Sequence, residues 1–211
     1  MTADTIFICP VCRNPLRPAE KKMICMDNHN YDLSREGYVN LLLPQMKKSR
    51  IPGDSPDMIR SRNRFLSAGH YSPLPEMISV KVEEYLHLKK TPGCNILDAG
   101  CGEGYILSIL ENRLKDQGIN FYGLDISREA VKTAAKRNRR LSCAVAGLFS
   151  MPVADGSVNI LINTFAPSPG PEFRRVLKPG GIVIHVHPGE EHLHTLREKL
   201  FDQIVPLRKD D

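Results

Sequence analysis

The sequence predicts an α/β protein: a doubly wound, mostly parallel sheet preceded by a small metal-folded module. Three observations predict it. From Pro73 onward, short apolar runs alternate with amphipathic helical stretches, the rhythm of strand–helix–strand units. The first of these runs ends in a Gly-rich loop, Asp98-Ala99-Gly100-Cys101-Gly102-Glu103-Gly104. Near the N-terminus, Cys9-Pro10-Val11-Cys12 is followed after twelve residues by Cys25-x-x-x-His29. A tight Cys knuckle followed one hairpin later by a Cys/His pair is ligand spacing for tetrahedral zinc.

The elements follow in order. Residues 1–34 form the zinc-binding module, with Ile6–Ile8 and Met23–Met26 as a hairpin pair around Cys9, Cys12, Cys25 and His29. So short a stretch has no core of its own, and the metal is expected to supply its folding energy. Residues 35–72 read as a basic connector whose Pro, Gly, Ser and Asp content, Pro52-Gly53-Asp54-Ser55-Pro56 included, marks irregular backbone. Ser55 as cap and Pro56 at the first position start a helix that runs to about Ala68 and stops at Gly69. Residues 73–211 hold the sheet. Its helices are Pro75–Leu88, Tyr105–Leu114, Arg128–Arg137, Glu172–Leu177 and Leu193–Ile204. Its strands are Asn95–Ala99, Asn120–Leu124, Leu141–Ala146, Val158–Asn163 and Ile182–His187, the last after a Lys178-Pro179-Gly180-Gly181 turn. The chain stops one helix after the fifth strand, where such sheets usually continue with two more. A truncated or naturally short form is therefore expected.

Composition bounds the function. Hydrophobic residues make up 41% and charged residues 25%, the balance of a soluble globular protein. No run approaches a membrane-spanning length and no signal peptide opens the chain. A reducing cytoplasm is expected, where paired Cys are metal ligands rather than disulfides; Cys94, Cys101 and Cys143 read as small buried residues. The net charge of +5 is concentrated: residues 35–66 carry seven basic and three acidic side chains, and residues 128–140 carry six and one. Two basic segments on a neutral background point to a polyanionic partner, with Lys47, Lys48, Arg50, Arg60, Arg62 and Arg64 as candidates.

The Gly-rich loop narrows the cofactor. A dinucleotide fingerprint would need Gly at position 105, which is Tyr105. The spacing here is Gly-x-Gly-x-Gly, with Asp98 two residues before Gly100. That is the pattern of S-adenosylmethionine-binding methyltransferases, a class I, Rossmann-like sheet. Asp98 is then expected at the methionine end, with Gly100, Gly102, Glu103, Gly104 and Tyr105 curling beneath it. Asp125, ending the second strand, is expected on the ribose hydroxyls, Ile126 on the adenine, and Leu148 on the adenine side.

With both halves in view, the chain resembles the bacterial large-subunit ribosomal RNA guanine-N1 methyltransferase family of the RlmA/RrmA type. The resemblance rests on Cys9-x-x-Cys12, Cys25-x-x-x-His29, Asp32–Leu42, Pro52-Gly53-Asp54-Ser55, Phe65-Leu66-x-Ala68-Gly69-His70-Tyr71 and the Gly-rich loop. Ala166-Pro167 and Pro188-Gly189-x-x-His192-Leu193 extend it. It implies methyl transfer to N1 of a guanine in a 23S RNA hairpin, a zinc module that helps hold the RNA, and usually a homodimer. It also implies that Tyr71 and His192 lie close to the cofactor. The family's C-terminal region is absent here, and Met151–Val158 is followed by Asn159 where such enzymes usually have Asp.

Guanine N1 carries a proton, so such an enzyme must extrude the base, align N1 with the methyl group and move that proton. Methyltransferases of this fold hold the target base at the fourth-strand exit, which makes Asn163, Phe165 and Pro167 the candidate pocket. Asn163 would bond the guanine edge and Phe165 would stack on it. His185, His187, His192, His194 and Asp155 are weaker candidates for the proton. Two other readings stand beside this one: a small-molecule methyltransferase, and a non-catalytic RNA-binding or ribosome-assembly factor on the same fold.

Overall fold

The computed structural model describes residues 5–46, 53–89, 93–115, 117–189, 191 and 193–200. Its main sheet has six strands, all parallel, in the order β4-β7-β6-β5-β8-β9. Five are those expected from Pro73 onward: β5 (Asn95–Ala99), β6 (Asn120–Asp125), β7 (Ser142–Val145), β8 (Val158–Thr164) and β9 (Leu177–Val186). The sixth is β4 (Val39–Asn40), from the stretch expected to be irregular, paired with Ala144 and Val145 of β7. A two-residue strand leaves no alternation to read, so only its pairing reveals it. In β9 the Lys178–Gly181 turn is a bulge inside the strand: Val158 pairs with Leu177, and pairing resumes at Ile160 and Ile182.

Helices α2 (Pro73–Lys89), α3 (Tyr105–Leu114) and α4 (Arg128–Arg137) cover one face. Ile78, Val82, Leu107, Leu110, Val131 and Ala134 form a core there with Ile96, Phe121 and Cys143. Short α5 (Gly170–Val176) lies on the other face with Phe173 and Val176, and α6 (His194–Leu200) follows β9. Between β7 and β8 the chain makes only a 3-10 turn, Leu148–Ser150, so no helix covers that face over β6 and β7.

The zinc-type module fills this space. It is a three-stranded antiparallel sheet, β1 (Arg17–Ala19), β2 (Lys22–Ile24) and β3 (Asn30–Asp32). Phe7 and Ile8 are not in that sheet. Phe7 bridges to Val153, Ile8 N–H donates to the Pro152 carbonyl at 2.9 Å, and Ala154 N–H donates to Ile6 at 2.9 Å. Ile6, Phe7, Leu16 and Met23 are buried in one cluster with Tyr122, Leu124, Ala144, Met151 and Val153. This corrects the expectation of a coreless appendage: the module shares its core with the main sheet. Parallel sheets need cover on both faces, and here a metal-type module supplies part of it.

Phe7 is fully buried, edge-on to Tyr122 with ring centroids 5.5 Å apart. Phe7→Ala leaves a cavity between module and sheet and should cost about 3–5 kcal/mol. Urea unfolding should show one transition shifted to lower urea. An unchanged midpoint, or a module that melts separately from the sheet, would contradict the shared core.

Candidate functional site

Cys9, Cys12, Cys25 and His29 converge, their ligand atoms all within 4.8 Å of one another. Two turns bring them there, each with a residue at positive φ: Arg13 (64°) after the first knuckle and Asn28 (61°) after Cys25. Arg13 N–H donates to Cys9 O and Asn28 N–H to Cys25 O. Cys12 Sγ lies 3.6 Å from Cys25 Sγ, and Cys25 Sγ lies 3.5 Å from His29 Nδ1. A tetrahedron with Zn–S near 2.3 Å sets its sulfurs about 3.7 Å apart, so this donor set fits zinc. Burial pushes the Cys9 thiol up, but hydrogen bonds from the Tyr31 hydroxyl and the backbone of Cys12 and Val11 bring it to about 7.

The second site is a cavity of about 670 Å³ at the C-terminal ends of β5, β6 and β8. β5 sits between β6 and β8, so strand order reverses there, where open α/β sheets bind ligands. Gly100 and Gly104, at φ 93° and 71°, let the loop pass its neighbours. A Cβ on Gly100 would fall 2.4 Å from Ala166 Cβ, and one on Gly104 would fall 2.8 Å from Ala134 Cβ. Both would be overlaps of packed atoms. Asp125 fastens the loop, accepting from Gly102 N–H at 3.0 Å and from Ser127 N–H at 2.8 Å.

The cavity is acidic. Asp54, Asp98, Glu103 and Asp125 line it. Burial, then the neighbouring Asp125, pushes Asp98 up to about 7. Burial also raises Glu103 and Asp125, in the latter against the Ser127 and Gly102 N–H groups. Asp98 Oδ1, Glu103 Oε1 and Thr164 Oγ1 are buried without partners. Unpaired carboxylate oxygens facing a cavity match a cationic ligand, and S-adenosylmethionine, with its sulfonium and ammonium, fits.

The roof comes from the stretch before the sheet. Gly53 packs against Ser127, and Ser127 Oγ donates to Asp54 O. Ser55 caps α1 (Pro56–Ser67) by accepting from Met58 N–H, as expected. Phe65, Tyr71 and Phe165 line the cavity, with ring centroids 6.2 and 6.4 Å apart along the series. Phe165 sits at φ 51°, which costs energy for an aromatic residue and is characteristic of functional sites.

Of the expected cofactor residues, Tyr71, Asp98, Gly100, Gly102, Glu103, Tyr105 and Asp125 line the cavity, as do Phe165 and Pro167 of the expected base pocket. Others fall elsewhere. Gly104 packs against α4. Ile126 joins the helix-side core, and Leu148 lies buried behind Gly100. Asn163 is fully buried and donates its Nδ2 to Ala99 O (2.7 Å) and Pro167 O (3.3 Å), which braces the loop, while its Oδ1 is left without a partner. His192, Lys47, Lys48 and Arg50 lie outside the described residues. Arg60 and Arg64 are exposed on α1, Arg60 paired with Asp57. Arg62 instead lines the cavity. Sequence reasoning missed Asp54, Phe65, Leu66 and Thr164 as lining residues. The signal for Leu66 was the α1 period, which sets Ile59, Arg62 and Leu66 on one face.

Comparison with known proteins adds relations of three kinds. A family profile described as "RlmA, N-terminal" matches residues 7–50, and a methyltransferase-domain profile matches residues 90–205. A 23S rRNA (guanine(748)-N(1))-methyltransferase of Streptomyces fradiae is 36% identical over 91% of this chain and 66% of its own length. A protein of Micromonospora griseorubida, provisionally assigned as a 23S rRNA (guanine-N1)-methyltransferase, is also 36% identical, over 91% of this chain and 68% of itself. This chain thus spans about two thirds of the length of these relatives. Among solved structures, a provisionally assigned S-adenosyl-L-methionine-dependent methyltransferase of Methanococcus maripaludis superposes with a TM-score of 0.53. It covers 73% of this chain and 74% of its own at 16% identity, a likeness of fold.

Two outcomes are expected at these sites. The protein should carry one zinc per chain, and Cys25→Ser should lose it. Because the module shares the sheet's core, chelation should lower the melting temperature of the whole protein. Elemental analysis showing full zinc in Cys25→Ser would refute the ligand set. The second concerns pH. Asp98 titrates at about 7 in the folded protein against an ordinary 3.8, so across that window it stays protonated while an unfolded chain ionises. It therefore lowers stability as pH rises to 7, and above 7 it is a buried anion awaiting a cation. Affinity for S-adenosylmethionine should rise about tenfold between pH 6 and 8, and less in Asp98→Asn. Calorimetry giving a flat profile for the unmodified protein would exclude this.

Proposed function

Because this chain belongs to the RlmA-type family of 23S rRNA (guanine-N1)-methyltransferases, we propose that it methylates N1 of a guanine in a 23S rRNA hairpin with S-adenosylmethionine. The observation that carries this reading is the acidic cavity under the Gly-rich loop, walled on one side by three aromatic rings. S-adenosylmethionine, when bound, supplies an electrophilic methyl group on a sulfonium. The chain's own residues do the rest. Asp125 offers its remaining lone pairs to the ribose hydroxyls, while Asp98 and Glu103 counter positive charge at the methionine end. Phe65, Tyr71 and Phe165 stack an extruded base, which needs a flat apolar wall once it leaves its helix. Pro167 closes the same wall, and Asn163 holds it against Ala99. Excluding water from this space strengthens each of these interactions.

The RNA backbone is taken by basic side chains: Arg60 and Arg64 on α1, and Lys47, Lys48 and Arg50, which precede it in the sequence. Zinc in the N-terminal module holds that half of the RNA-binding surface in shape. The protein works in the cytoplasm, where its substrate is, and as the homodimer that the family resemblance implies. Among the described residues no helix is long and apolar enough to cross a membrane. A non-catalytic assembly factor would need no cavity lined by Asp98, Gly100, Gly102 and Asp125, which favours the enzyme over that reading.

Primer extension tests the function directly, because N1 methylation blocks Watson–Crick pairing and stops reverse transcriptase. Incubating 23S rRNA with protein and S-adenosylmethionine should create one new stop at a hairpin guanine. Without the cofactor no stop should form. A stop at another base type, or none with protein that binds the cofactor, would overturn the assignment.

A further inference from the structure

Arg62 differs from the other basic residues of its helix in lining the cavity, with its side chain still 43% exposed. On α1 it shares a face with Ile59, which is buried at 3% exposure, and with Leu66, which also lines the cavity. Arg60 and Arg64 are exposed and do not line the cavity. The guanidinium lies over the Gly-rich loop, ion-paired with Asp54. Its Nη1 is 4.0 Å from Glu103 Oε2 and 3.8 Å from where a Gly102 Cβ would be.

The charge inventory of the cavity shows what it is for. The described lining residues include four carboxylates, Asp54, Asp98, Glu103 and Asp125, and one cation, Arg62. The cofactor of the proposed function brings two positive groups, its sulfonium and its ammonium, and one negative group, its α-carboxylate. The positive groups have carboxylate oxygens waiting, two of them buried without partners. The α-carboxylate cannot enter such a space unless a cation meets it, because an unpaired buried anion among like charges is strongly disfavoured. A guanidinium matches a carboxylate with two parallel hydrogen bonds.

We propose that Arg62 binds the α-carboxylate of S-adenosylmethionine, so that the connector helix supplies part of the cofactor site. This rests on the cofactor reading above. Asp54 holds the guanidinium over the loop and orients it. The contact also ties α1 to the cofactor, since Gly53 and Asp54 anchor the start of that helix on Ser127.

Calorimetry with two ligands tests it: S-adenosylmethionine and its decarboxylated analogue, which keeps both positive groups and lacks only the carboxylate. The zinc-loaded full chain is compared with Arg62→Gln and Arg62→Lys. The unmodified protein should prefer S-adenosylmethionine. Arg62→Gln should weaken that ligand about 30-fold or more and reverse the preference, because the analogue carries an extra net positive charge into a carboxylate-lined space. Arg62→Lys should keep part of the preference. If the ratio of the two affinities is the same in Arg62→Gln as in the unmodified protein, Arg62 does not touch the carboxylate. A variant with that unchanged ratio but weaker RNA binding would return Arg62 to a phosphate contact. An unmodified protein that binds both ligands equally would overturn the proposal without any variant, and one that binds neither would overturn the cofactor reading itself.

Discussion

A parallel sheet must be buried on both faces, and this chain meets that need with a metal-type module on one of them. The chain crosses from β7 to β8 through a 3-10 turn rather than a full helix, leaving apolar side chains of β6 and β7 without helical cover. Phe7, Leu16 and Met23 close that gap against Tyr122, Leu124 and Ala144. The module cannot form its own core at this size, and the sheet cannot stay dry without it. Zinc in the four-ligand cluster would therefore stabilise the sheet as well as the knuckles that hold it.

From this packing the rest of the architecture follows. With the module on one face and α2, α3 and α4 on the other, the connector must pass the β7 edge of the sheet. It leaves β4 there as an added strand, bonded through Val39 and Asn40. It then reaches the start of α4, where Gly53 sits against Ser127 and α1 begins. That route brings Asp54, Arg62, Phe65 and Tyr71 over the Gly-rich loop. The segment between the two family-matched stretches thus builds the roof of the ligand site.

The electrostatics of the site are those of a receptor for a cation. Asp98 is almost wholly buried, and its carboxyl rises to about 7 because burial disfavours its charge. A protein would not keep unpaired buried carboxyl oxygens for stability, since each one lowers it. They are tolerated where a ligand completes them. The left-handed backbone of Phe165 has the same character, a local cost held in place by its N–H bond to the Val186 carbonyl.

The sequence by itself determined the parts whose chemistry repeats at fixed spacing. Cys9, Cys12, Cys25 and His29 were legible because tetrahedral coordination demands knuckle spacing, and the Gly-x-Gly-x-Gly loop because backbone must pass close to Ala166 and Ala134. Strands β5 and β6 and helices α3 and α4 were legible because their burial sets a period. Tertiary structure alone decided which face each segment covers. The module's place in the core, the two-residue strand β4, the position of Arg62 beside Glu103 and the bracing role of Asn163 all depend on partners distant in the chain. Asn163 meets Ala99 across 64 residues, and Phe7 meets Tyr122 across more than a hundred. Local pattern records how much of a segment is apolar and with what period, but the identity of the surface it meets is fixed only when the chain closes on itself.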